Sequence, residues 1–232
     1  MLISEIFKYV IDLCAVLLLA LGIKGLSTVR SAREANRLAA IAMGLAVVGV
    51  LLESLGGSGI SFNAWMWIIL GTAVGGLFGM VTAQKVPMTA MPETVALFNG
   101  SGGMSSLLVA MGAVLFLGDS DLAPGSHDVV GTISIIVSIF VGAITFSGSV
   151  VAMAKLQGWL STPGWTQSKF RHVVNISLAV LSLIGAIALS QSGYSGLWLL
   201  VLGSGLLGIG VTLPIGGADM PVVISLLNSY SG

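Results

Sequence analysis

The sequence predicts an all-α protein, a polytopic transmembrane bundle of about eight helices whose last segment is cut short, and three observations support this. Charged residues make up 8% of the chain and hydrophobic residues 56%, whereas a soluble domain carries about 25% charge. Mean hydropathy is +1.05. A window of about 19 residues divides the chain into apolar runs joined by connections too short to hold a soluble domain. The whole of 1–232 therefore reads as a single transmembrane domain.

The first run, roughly 3–26, exceeds the apolar core of a signal peptide, about 7 to 15 residues, and has no convincing small-residue cleavage site, so it reads as a spanning helix. Asp12 lies about 12 Å along it, as a buried partner or a polar contact on the lumenal side. Cys14, the single cysteine, reads as a small buried residue and not as a disulfide or metal ligand. Runs at roughly 38–55 and 64–83 follow, and in the third Gly71, Gly75 and Gly79 repeat every four residues, which leaves one face smooth enough for a neighbouring backbone to approach. The fourth and fifth runs, 91–117 and 129–154, precede a longer polar connection, and the sixth and seventh cover 173–191 and 195–213. The seventh contains GSGLLG from Gly203 to Gly208, spaced like a dinucleotide-binding turn. No strand precedes it and no acidic residue follows about 20 positions on, so it is assigned to helix packing. The eighth run begins at Met220 and has about 13 residues before the chain stops, against about 20 needed to span a bilayer. It is expected to be incomplete and the chain a fragment.

Formal net charge is zero, yet the charges are sorted. Arg30, Arg33, Arg37, Lys85, Lys155, Lys169 and Arg171 fall in alternate loops, seven of the nine basic residues on one side, while Glu53, Asp119, Asp121, His127 and Asp128 fall on the other, with Lys8 near the N-terminus. Cytoplasmic loops keep positive charge, so the basic side is expected to be cytoplasmic and the N-terminus outside. Trp65, Trp67, Trp159, Trp165 and Trp198 stand near segment ends, as interfacial anchors do. No basic tail points to nucleic acid, and His127 and His172 have no metal-ligand spacing with one another.

Intramembrane polar residues are functional candidates when they share an inward face. Four helices carry such a stripe at helical spacing: Asn99, Gly103, Ser106 and Ala110 in the fourth; Ser138, Gly142, Thr145, Ser149 and Ala152 in the fifth; Asn175, Ala179, Ser182 and Ala186 in the sixth; Pro221, Ser225, Asn228 and Gly232 in the eighth. Asn99 and Asn228 each lie about 12 to 14 Å from the start of their helices, near the middle of a core about 30 Å thick. Spacing alone leaves two readings open: interhelical hydrogen bonds, worth about 0.6 to 2 kcal/mol per pair, or a water-lined path. Glu93, after Pro92, either favours the helix dipole or marks the mouth of that path. Asp219, before Met220 and Pro221, either caps the eighth helix or reports its state to a cytoplasmic partner.

Three strings, KVPMTAMPETVALFNGSGG (85–103), GAITFSGSVVAMAKL (142–156) and GGADMPVVISLLNSYSG (216–232), closely resemble the membrane domain of the beta subunit of proton-translocating nicotinamide nucleotide transhydrogenase. The resemblance implies proton transfer through these helices, coupled to hydride transfer between NAD(H) and NADP(H) in cytoplasmic domains. No cofactor is expected on these residues themselves. It further implies a ninth helix, an NADP(H)-binding domain after it, a partner alpha subunit and a dimeric complex in a cell inner membrane. Eight crossings would leave the C-terminus outside, so a cytoplasmic domain independently requires an odd number of helices. On this reading the path residues are Asn99, Asn228, Ser225, Ser149, Thr145 and Glu93, with Asp219 for domain coupling. The position matching Asn99 can be a histidine in the family. Asparagine does not titrate, so the protonatable residue is expected from a helix of the alpha subunit.

Two other functions are open to the same residues. A secondary transporter predicts broken helices at matching positions of two halves. The helices that begin near Pro92 and Pro221 carry asparagines at similar depth, although their flanks do not repeat. A non-conducting scaffold predicts polar stripes that only dock other subunits.

Overall fold

A computed structural model describes residues 2–28, 30–56, 61–122, 129–192 and 194–231. Among these residues eight α-helices follow in order: α1 (Leu2–Gly25), α2 (Ala32–Gly56), α3 (Phe62–Lys85), α4 (Met91–Leu122), α5 (Val129–Leu156), α6 (Phe170–Ser192), α7 (Tyr194–Thr212) and α8 (Met220–Ser231). Among the described residues six helical stretches are long and apolar enough to cross a membrane, within 32–52, 62–85, 88–116, 129–156, 170–191 and 194–212. His127, Asp128 and Gly232 lie outside the described residues, as do the side chains of Lys8, Glu53, Asp119, Asp121 and Trp165.

The chain divides into two compact units, residues 1–80 and 81–232. In the first, α1 and α2 form an antiparallel pair with an alanine and glycine contact face. A Cβ on Gly22 would stand 3.2 Å from Ala39 Cβ, and one on Gly25 2.8 Å from Ala35 Cβ. At the other end of the pair Gly49 leaves room for Asp12, whose Oδ1 lies 2.9 Å from the position of that missing Cβ. The connecting turn is closed by Ser31 Oγ donating to the Gly25 carbonyl at 2.6 Å. No residue of α3 is buried, and open space surrounds Gly71, Gly75 and Gly79. Among the described residues of 1–80 no other backbone makes the close approach expected at that glycine face.

In the second unit α5 is central and packs against α4, α7 and α8, while α6 pairs with α7. Glycine sets each close crossing. A Cβ on Gly142 of α5 would lie 2.7 Å from Gly103 O and 2.8 Å from Leu107 N of α4. A Cβ on Gly196 of α7 would lie 2.0 Å from Leu189 N of α6. Gly203 and Gly208 of the GSGLLG string face Ser182 of α6 and Ile144 and Ser147 of α5. Gly203 and Gly208 of that string are therefore occupied in helix packing. Two apolar clusters complete the unit. One joins Leu107, Val114, Ile139, Leu189, Leu197 and Leu200 across α4 to α7. The other joins Ala96, Ala152, Met220 and Ile224 across α4, α5 and α8.

The ends of these helices follow local rules. Pro87 is extended, and a 3-10 turn at Met88–Ala90 leads into α4, whose first turn tolerates Pro92 because the lost N–H is unpaired there anyway. Gly158, at φ 73°, closes α5. A left-handed residue just past a helix end recovers orphan carbonyls, and here Trp159 N–H donates to Ala154 O at 2.9 Å. A 3-10 turn at Gly217–Asp219 opens α8.

Candidate functional site

The stripe read on α5 is the inward face. Gly142, Thr145, Ser149 and Ala152 are all buried, because their small side chains let α4, α7 and α8 close on α5. Across from it, Asn99 of α4 is buried and its Nδ2 donates to Ser149 Oγ at 2.9 Å. The two helices can meet there only because Gly100 and Gly103 have no side chain: a Cβ would lie 3.1 Å from Ser149 Cβ in the first case and 2.8 Å from Thr145 Cβ in the second. Asn99, Ser149 and Thr145 thus form a polar seam between α4 and α5. Asn99 lies about 12 Å along its helix from Met91. Beyond the Gly103 and Gly142 contact, the α4–α5 boundary becomes the apolar cluster of Leu107, Ala110 and Val114.

Near the loop end the seam gives way to charge. Glu93, in the first turn of α4, is half-buried and accepts a hydrogen bond from Gln157 Nε2 at 3.4 Å. Lys155, in the last turn of α5, is buried at 7% exposure. Its Nζ donates to Thr162 Oγ1 at 2.9 Å, to Ile215 O at 2.6 Å and to Leu213 O. Sequence reasoning used Lys155 only as a topological charge. The available signal was the i+3 step from Ala152, which carries the α5 stripe one turn further.

The other stripes are placed less simply. On α4, Asn99, Gly103 and Ala110 are buried but Ser106 is exposed. On α6, Ser182 is buried and satisfied by Leu178 O at 2.8 Å, Asn175 Nδ2 reaches Gly210 O of α7 at 3.2 Å, and Ala179 is exposed. On α8 the inward stripe is Met220, Ile224 and Leu227, whereas Pro221, Ser225 and Asn228 are exposed on the adjacent face. This corrects the inward placement expected for Ser225 and Asn228. The cause is the contact with α5: Ala152 receives Met220 and Ile224, and Gly148 leaves room for Leu227. Asp219 ends the 3-10 turn before α8 and is exposed. The structure therefore brings Asn99, Ser149 and Thr145 together, sets Glu93 near their loop end, and leaves Asp219, Ser225 and Asn228 on outer surfaces of this chain.

An amide and two hydroxyls can donate, accept and orient water, but they hold no proton that comes off near neutral pH. Among the described residues no group of three His, Cys, Asp or Glu could hold a metal ion. Fold and seam together define a multi-pass membrane protein with a narrow line of neutral polar groups through part of its interior.

The family model described as NAD(P) transhydrogenase beta subunit matches residues 8–232, and the chain belongs to that family. The protein named NAD(P) transhydrogenase subunit beta from Rhodospirillum rubrum is 42% identical over 221 residues, covering 93% of this chain and 45% of that protein. A second sequence of the same name, from a specified strain of that species, matches to the same extent. The chain thus spans about half the length of the curated relatives it matches.

Proposed function

We propose that this chain is the proton-translocating membrane domain of a transhydrogenase complex, in which hydride passes between NAD(H) and NADP(H) on domains outside these residues. The observation that supports this most directly is the buried Asn99 to Ser149 hydrogen bond, at mid-membrane depth in a polar seam that continues inward to Thr145. Asn99, Ser149 and Thr145 hold and orient water there, and Glu93 stands at the mouth. The titrating group comes from elsewhere, on a helix of the alpha subunit. The outer face of α8 supports such a neighbour. Ser225 is exposed on this chain, and a polar group facing hydrocarbon is costly unless another helix or water covers it.

Coupling requires two states of the bundle with different proton access and different affinity for the nucleotide domains. Asp219, exposed on the turn into α8, is the contact that reports the state. The basic loops face the cytoplasm and the N-terminus lies outside, in a cell inner membrane, and the assembled complex is a homodimer.

The test reconstitutes the full-length beta subunit with its alpha partner in liposomes and follows internal pH while NADPH reduces an NAD analogue. Asn228→Leu is expected to keep assembly but to lose most of the proton movement, and the hydride transfer tied to it. Loss of assembly in that variant would instead make the polar face of α8 a docking surface with no conducting role.

A further inference from the structure

We infer that Lys155 is a positioning residue that ties the turn carrying Asp219 to the polar face of α5. This rests on the coupling role proposed for Asp219, and it assigns the part that holds that role in place. An ammonium has three N–H donors, and here each meets a neutral oxygen: Thr162 Oγ1 in the loop after α5, and the carbonyls of Leu213 and Ile215 just past α7. Those carbonyls lie where a helix end leaves acceptors unpaired and where positive charge is favoured by the helix dipole.

Placement turns this cap into a link. Lys155 continues the α5 stripe of Thr145, Ser149 and Ala152, so the helix that presents Ser149 to Asn99 also carries the ammonium. Its two carbonyl partners precede the 3-10 turn at Gly217–Asp219, which leads directly into α8. A Cβ on Gly217 would stand 3.8 Å from Lys155 O, so the turn also packs on the end of α5. Two residues on, Gln157 holds Glu93 at the start of α4. The end of α5 therefore gathers the entry points of both α4 and α8. A movement of the Asp219 turn must either carry α5 with it or break the two hydrogen bonds from Lys155 to the Leu213 and Ile215 carbonyls. The first option is how a change at the cytoplasmic surface reaches Ser149.

The experiment uses the full-length complex with Lys155→Met, which keeps the length and removes the donors, and Thr162→Val, which removes one acceptor and is the milder change. Amide exchange is read by mass spectrometry over residues 210–220, where Ile215 N–H is held by Thr212 O and Asp219 N–H by Gly216 O. Protons moved per hydride transferred are measured in liposomes of the same preparations. Exchange about tenfold faster in Lys155→Met, the scale of losing one charge-assisted hydrogen bond, with a smaller change in Thr162→Val and a reduced proton-to-hydride ratio, supports the link. Unchanged exchange in both variants overturns it. Faster exchange at an unaltered ratio also overturns it, because Lys155 is then only a cap. A wild-type complex that moves no protons defeats the function proposed above, whereas these variant results against an active wild type bear on Lys155 alone.

Discussion

The buried amide of Asn99 and the hydroxyl of Ser149 are each most informative through the other. Ser149→Ala removes the acceptor of a buried N–H, and leaving such a group without its partner costs about 1–3 kcal/mol. The full-length complex carrying Ser149→Ala is expected to unfold in detergent at a lower midpoint than wild type. Adding Asn99→Leu should recover part of that loss, because the N–H that lost its acceptor goes with it. If the double variant loses the sum of the two single losses, the pair is not coupled. Asn99 was legible in the sequence because an asparagine deep in an apolar run stands out. Its partner was not, since choosing Ser149 over Ser147 or Thr145 requires the register of α4 on α5, which the Gly103 and Gly142 contact sets. The inward face of α8 was missed by a single position. Met220, Ile224 and Leu227 form a stripe as regular as Pro221, Ser225 and Asn228, and only the surface of α5 decides between them.

At the scale of elements, glycine spacing announces a smooth face without saying what lies against it. Gly203 and Gly208 are filled by neighbouring helices, while Gly71, Gly75 and Gly79 meet open space. The substitutions Gly142→Ala and Gly71→Ala therefore have opposite expected outcomes. A Cβ at Gly142 would meet backbone of α4 at 2.7 and 2.8 Å, and overpacking of this kind costs about 1–3 kcal/mol. At Gly71 nothing lies within 4 Å, and alanine in a helix interior gains about 0.5–1 kcal/mol over glycine. Thermal midpoints of the purified chain should fall for the first and hold or rise for the second. A drop at Gly71 comparable to that at Gly142 would show that another helix packs on α3.

For the whole molecule, hydropathy located the eight helices found among the described residues, because six of them have the continuous apolar length that crossing a bilayer demands. Boundaries drifted where charge and helix coexist. α2 was expected from about residue 38 and begins at Ala32, since Arg33, Glu34 and Arg37 depress hydropathy without opposing a helix. Orientation is a separate matter, resting on the sorting of basic residues. With Cys14 replaced by serine, a cysteine at Ser168 should react with an impermeant maleimide from the cytoplasmic face and one at Ser61 from the opposite face. The reverse pattern would invert the proposed topology.

The central claim is that proton movement through this bundle is tied to hydride transfer outside it. Its most direct test counts protons and hydrides together in sealed liposomes that hold the complete wild-type complex. Proton movement that requires both nucleotides and ceases when hydride transfer ceases is the predicted result. Hydride transfer at full rate with no change in internal pH would contradict the account, and the Asn99 seam would then be interhelical glue.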